Sequence, residues 1–155
     1  MAELAPIVLF VYNRIGVTKR TVDALKQNKL AKGSELFIFC DGAKKSTDIS
    51  DVNEVREFVK KITGFKSISI VERDTNYGLS KSIIDGVTHI VNKFDKIIVL
   101  EDDLITSQHF LTFMNDGLTT YEKDKQVASI HGYIYPIGGL PDLFFIKGAD
   151  CWGWA

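Results

Sequence analysis

The sequence predicts an α/β fold: a mostly parallel β-sheet covered by helices on both faces, a three-layer sandwich. Three observations carry this expectation. Short runs rich in Ile, Val and Phe alternate with stretches of helical periodicity up to about Asp103. The runs are apolar throughout rather than alternating, as in strands buried on both faces. The composition, 45% hydrophobic and 25% charged over 155 residues, suits one domain with a full core, covering residues 1–155.

Four runs read as buried strands, 7–11, 36–40, 67–71 and 96–100, each bounded by polar or glycine residues. Between the first two, Val17, Thr21, Val22 and Leu25 mark a helix face. Val52, Val55, Phe58, Val59 and Ile62 mark the next, and Leu79, Ile83, Val87, Ile90 and Val91 a third at 3.6-residue spacing. Phe110, Phe113, Met114, Leu118 and Tyr121 mark a fourth, with Thr106 or Ser107 as its expected cap. Residues 127–130 and 143–146 are further strand candidates, and 136–141, with Gly138-Gly139, reads as a loop. No internal repeat, low-complexity stretch or linker interrupts the pattern.

Charge and cysteine usage narrow the function. A formal charge of −1 gives no broad field for nucleic acid or an anionic membrane. Cys40 ends an apolar run and reads as buried. With no CxxC pair and no Cys/His cluster at zinc spacing, Cys40 and Cys151 fit a reducing, cytoplasmic setting. The opening MAELAPIVLFVYNR does not read as a signal peptide, because its apolar run is short and the basic residue follows it. No segment reaches the roughly 18 apolar residues of a spanning helix. Peripheral association at the inner face of the membrane stays open. The final DCWGWA carries two tryptophans, which are costly to expose, so the reading expects the front part of a longer protein.

In open parallel sheets, ligands bind beyond the carboxyl ends of the strands. Tyr12, Asn13 and Arg14 follow the first strand, Asp41-Gly42 the second, Asn76-Tyr77-Gly78 the third, and Glu101-Asp102-Asp103 the fourth. The acidic triplet is the strongest element. Like charges about 4 Å apart repel by roughly 1 kcal/mol in water and more near protein. A hard divalent cation, Mn²⁺ or Mg²⁺, relieves that repulsion, often with substrate phosphates completing its shell. The competing reading is a solvated acidic loop favoured by the dipole of the helix that follows. Asp41 alone is as well explained by an Asp-Gly turn, and a lone arginine such as Arg14 is usually solvated. Asn76 to Leu79 reads equally as a phosphate-facing helix start or a capped loop. His89 reads as a surface residue and His131 as a core or supporting one.

Taken together, PIVLFVYNR, FIFCDG, NYGLSKSI and IIVLEDDLITSQHFLTFM resemble the GT-A glycosyltransferases, both the family-2 group and the N-acetylglucosaminyltransferase I type. The resemblance covers essentially the whole chain, and DCWGWA is similar to an aromatic segment lining the acceptor side in the latter type. It implies a UDP-sugar donor, with Asp41 accepting from uracil and Arg14 beside the base. Asn76, Tyr12 and Asn13 would contact the nucleotide, and Asp103 would ligate Mn²⁺ or Mg²⁺. Glu101 and Asp102 would hold the ribose, the sugar or metal-bound water. It further implies an inverting transfer to a saccharide or glycoconjugate acceptor; the absence of a signal anchor in the reading adds the expectation of bacterial surface polysaccharide or glycoconjugate synthesis. The base that deprotonates the acceptor is expected beyond Ala155, and Asp150 is a weak substitute.

Rival readings are a non-catalytic nucleotide-sugar-binding module or inactive fragment, and a phosphoacceptor signalling domain. The signalling domain wants an acidic pair after the first strand, where this chain has Asn13-Arg14. A dinucleotide-dependent dehydrogenase lacks its G-x-G-x-x-G there, and VYNRIG is not the glycine-rich loop of a sugar nucleotidyltransferase.

Overall fold

A computed structural model describes residues 3–141 and 143–155 of the chain. Its elements run β1 (Ile7–Val11), α1 (Ile15–Lys26), β2 (Glu35–Cys40), α2 (Ile49–Val59), β3 (Ser67–Glu72), α3 (Leu79–Phe94), β4 (Ile98–Glu101) and α4 (Phe110–Tyr121). The strands form one sheet in the order β3-β2-β1-β4, with every pairing parallel.

Side-chain alternation along the strands sorts the core into two layers. Ile7, Leu9 and Val11 of β1, Leu36, Ile38 and Cys40 of β2, and Ile98 and Leu100 of β4 face one side. There they meet Val22 and Leu25 of α1, Val55 and Val59 of α2, and Leu111 and Met114 of α4. Val8, Phe10, Phe39 and Val99 face the other side, against Ile90 of α3 and its half-buried Ile83, Val87 and Val91. β1 is buried along its whole length, which is why its sequence shows no polar alternation.

The helix placement follows from handedness. Parallel crossovers are right-handed almost without exception. The chain moves one way through β1, β2 and β3, with α1 and α2 on one face, then returns past β1 to β4 with α3 on the opposite face. The order therefore reverses between β1 and β4. At such a switch point the neighbouring connections splay apart, leaving a crevice at the carboxyl ends.

Several expectations need correction. β3 is an edge strand covered on one side only: Ile68 and Ile70 pack inward, while Ser67, Ser69 and Val71 are exposed. Neither Thr106 nor Ser107 caps α4. The Asn28 side chain at the end of α1 accepts the Leu111 N–H at 2.9 Å, and its amide group donates to Thr106 Oγ1. The α4 donor is thus satisfied from a distant element, a pairing no local pattern announces. Residues 127–130 do not form a strand. Isolated antiparallel bridges instead join Trp154 to Val99 on the free side of β4, and to His131 beyond. Residues 143–146 also lack strand structure, and Leu143, Phe145 and Ile146 are exposed. Apolarity makes a strand only where a sheet edge is within hydrogen-bonding reach. No described helix is long and apolar enough to cross a membrane.

Candidate functional site

The switch-point crevice is where β1 delivers Arg14 and β4 delivers the acidic triplet. Arg14 immediately precedes α1, and its carbonyl accepts the Thr18 N–H at 3.0 Å, so the first turn of α1 fixes its backbone. One guanidinium nitrogen, Nη2, reaches both Asp102 Oδ1 at 2.5 Å and Asp103 Oδ2 at 3.0 Å. The three acids play different parts. Asp102 is buried; its second oxygen accepts from Thr18 Oγ1 at 3.3 Å, and its carbonyl accepts from Thr21 Oγ1 at 2.7 Å. It therefore turns into α1 rather than toward a ribose. Asp103 keeps a side chain 46% exposed to the crevice. Glu101 is half-buried at the end of β4.

Burial raises the Glu101 carboxyl above its usual range, and the charges of Asp103 and Asp102 raise it further. Burial likewise raises Asp102, against the opposing pull of Arg14. For Arg14 itself, burial pulls the guanidinium down, but the two aspartates outweigh it and the net shift is upward. One guanidinium thus leaves the triplet with excess negative charge.

The opposite end of the sheet edge is a joint rather than an open pocket. Asp41 is 6% exposed, and both its oxygens are taken. Oδ1 accepts the N–H groups of Gly42 at 2.9 Å and Tyr77 at 2.8 Å. Oδ2 accepts the Gly78 N–H at 3.0 Å and the Asn76 amide at 3.1 Å. Asn76 also donates to the Gly42 carbonyl at 2.8 Å. A Cβ on Gly42 would lie 2.5 Å from the Thr75 carbonyl carbon, so only glycine lets the two loops touch. Gly78, at φ 75, then turns the chain into α3. Beneath the joint, Arg56 donates to the carbonyls of Asp41 and Arg73, and the Arg73 guanidinium lies 4.0 Å from the Tyr77 ring centroid. With its acceptor positions filled from within the chain, Asp41 presents no free face to a base, and Arg14 sits with the acids rather than beside Asp41.

Between these ends, Tyr12 straps the loop before α2. Its hydroxyl donates to Asp48 at 2.8 Å and accepts the Lys44 N–H at 2.9 Å. Asn13 is half-buried between Tyr12 and Arg14. The structure thus brings Arg14 to Asp102 and Asp103, turns Tyr12 toward the loop after the neighbouring β2, and gathers Asp41 with Asn76 at the β2–β3 end of the edge. Sequence reading gave no site role to Thr18, Thr21, Gly42, Arg56 or Arg73. A signal existed for the first two: Arg14, Thr18 and Thr21 recur at helical spacing, a polar line along a face that otherwise packs inward.

On the far side of Asp103 opens a cleft of about 640 Å³ lined by Leu104, His109, Phe113, Tyr133 and Trp152. The Tyr133 and Trp152 rings meet at 4.7 Å, and Tyr135 lies 5.7 Å from Trp152. His89 is exposed. His131 is half-buried, with Nε2 at 2.7 Å from Ser129 Oγ. Asp150 accepts the neighbouring Cys151 N–H.

The fold is shared with solved structures that include glycosyltransferases. Of the solved structures that match, the mannosyltransferase PcManGT from Pyrobaculum calidifontis, in complex with GDP-Man and Mn²⁺, superposes with a TM-score of 0.54 at 13% identity, over 81% of this chain and 34% of that one. TarS of S. aureus superposes at 0.50 with 12% identity, over 77% of this chain and 32% of the other. The chain thus spans about a third of either protein, and at these identities the likeness establishes the fold alone. No protein-family model and no curated protein sequence matches the chain.

Two carboxylates here, Asp103 and Glu101, are of the type that could hold a divalent metal. Among the described residues no three His, Cys, Asp or Glu side chains converge to hold an ion by themselves. Asp103, with Glu101 beside it, supplies hard carboxylate oxygens next to open space, the partial set that Mg²⁺ or Mn²⁺ completes with phosphate and water.

Proposed function

We propose that the chain is the donor-binding part of a metal-dependent glycosyltransferase that takes its sugar from a nucleoside-diphosphate donor. The observation that carries the reading is the meeting of Arg14 with Asp102 and Asp103 at the sheet's switch point. An arginine and a half-exposed carboxylate side by side suit a metal–diphosphate pair, one facing the anion and the other the cation. PcManGT, whose fold this chain shares, was solved with GDP-Man and Mn²⁺, which supports the same class of ligand here.

In this reading Asp103 would ligate the metal, with Glu101 as the nearby second carboxylate. When bound, the metal would supply charge neutralisation of the departing nucleoside diphosphate. Asp102 would act through others, holding Arg14 and the start of α1 in place. Asn13 and Tyr12 would border the nucleotide, and the aromatic cleft beyond Asp103 would take a saccharide or glycoconjugate acceptor. Transfer with inversion needs an acceptor base, which this reading places outside residues 1–155. Uridine is the base that the sequence resemblance favours. Since Asp41 is occupied, base selectivity would come from neighbouring backbone groups. A cytoplasmic location at the inner face of a membrane fits a nucleotide-sugar donor.

Calorimetric titration with UDP and GDP, with and without Mn²⁺ and with ADP as control, tests the proposal. Mn²⁺-dependent binding that Asp103→Ala abolishes, with the fold retained by circular dichroism, is the expected result. Binding that ignores both Mn²⁺ and the substitution would remove the metal role. A binding module without transferase activity would show the same titration and no sugar release from the donor.

A further inference from the structure

We infer that Arg14 is a built-in competitor for the metal, holding Asp103 until a diphosphate arrives. The inference rests on the donor-site reading above and adds an order of binding to it. A single nitrogen of Arg14 bridges two carboxylates of very different freedom. Asp102 has a side chain only 5% exposed and is fixed by Thr18 and Thr21, so it anchors the guanidinium. Asp103, 46% exposed, is the partner Arg14 can give up. Arg14 itself is 54% exposed, so its outer face is open to an incoming anion.

The physical consequence is a coupling. A divalent cation arriving alone must displace a positive charge from the oxygen it needs, beside a guanidinium that has nowhere better to go. An anionic diphosphate offers Arg14 a replacement partner, with the bidentate geometry that guanidinium favours. Trading Asp103 for phosphate frees the aspartate for the metal. Metal and nucleotide therefore raise each other's affinity, and linkage makes the two enhancements equal.

Two measurements on the whole chain test this, neither of them an activity. Free Mn²⁺ is followed by electron paramagnetic resonance as protein is added without nucleotide, for the wild type, Arg14→Gln and Arg14→Lys. UDP and GDP are then titrated calorimetrically with and without Mn²⁺. Arg14→Gln should bind Mn²⁺ alone about two- to fivefold more tightly, as expected for releasing a partly exposed charge pair. The factor by which Mn²⁺ improves nucleotide affinity should fall by a similar amount. Arg14→Lys keeps a cation beside the buried Asp102 but loses the planar fork, so its gain should be smaller and of the same sign. This variant carries the test if Arg14→Gln fails to fold. Adding Asp103→Ala to either variant should erase the gain. Mn²⁺ affinity unchanged or weakened in the Arg14 variants overturns the inference, even where the wild type shows Mn²⁺-dependent nucleotide binding. A wild type with no such binding refutes the donor-site reading instead.

Discussion

Asp41→Asn separates a structural joint from a base-reading carboxylate. In the wild type four donors converge on the two oxygens: Gly42 and Tyr77 on Oδ1, Gly78 and Asn76 on Oδ2. Replacing either oxygen with an amide removes acceptors for two of these donors and turns N–H groups toward N–H groups. Rotating the amide changes which pair suffers and not the count. A hydrogen bond to a charged group contributes about 1.5–3 kcal/mol, and a buried donor left unpaired costs a comparable amount. Tyr77 is 39% exposed, so water can reach part of the loop and soften the loss. A destabilisation of about 3 kcal/mol follows, a large share of the roughly 5–15 kcal/mol typical of a whole domain. Urea unfolding gives the number directly from the midpoint and slope. Asn76→Ala, which removes only one of the four donors to the carboxylate, should cost less. If Asp41→Asn unfolds within about 0.5 kcal/mol of the wild type yet selectively loses uridine nucleotides, the joint is not what Asp41 is for, and the reasoning fails.

Gly42→Ala forces a Cβ to 2.5 Å and 2.6 Å from the carbon and oxygen of the Thr75 carbonyl, both backbone atoms that cannot rotate away. It should cost at least the 1–3 kcal/mol usual for overpacking, measured by thermal unfolding. Tyr12→Phe should lower the melting temperature near neutral pH by releasing Lys44 and Asp48. The Tyr12 hydroxyl is the main cause of the lowered Asp48 carboxyl. A depressed carboxylate contributes stability above its unfolded pKa and loses it as pH falls through the folded one. The gap between wild type and Tyr12→Phe should therefore narrow below the usual carboxylate range, and a gap that widens on acidification would count against the strap. Burial pushes the Cys40 thiol up to about 12, while Cys151 is exposed. Native protein at pH 8 should take up one equivalent of iodoacetamide, at Cys151, with Cys40 reacting only in denaturant; rapid native labelling of both would contradict the burial of β2.

The sequence by itself determined the layers. A strand buried on both faces must be apolar at every position, and Ile7 to Val11 declares that without any partner in view. Alternation of such runs with helical periodicity leaves few arrangements besides a helix-covered parallel sheet, and the polar residues beyond the strand ends marked the candidate edge. What only the tertiary structure decided is which of those residues meet. Arg14 and Asp102 are 88 positions apart and touch because the chain reverses direction between β1 and β4. Asp41 and Asn76 lie on the strand order's other arm and satisfy each other instead. A carboxylate looks the same in sequence whether its lone pairs face solvent, a guanidinium or four N–H groups. Its role is set by the donors the fold places around it, and those arrive from segments that carry no local mark of the encounter.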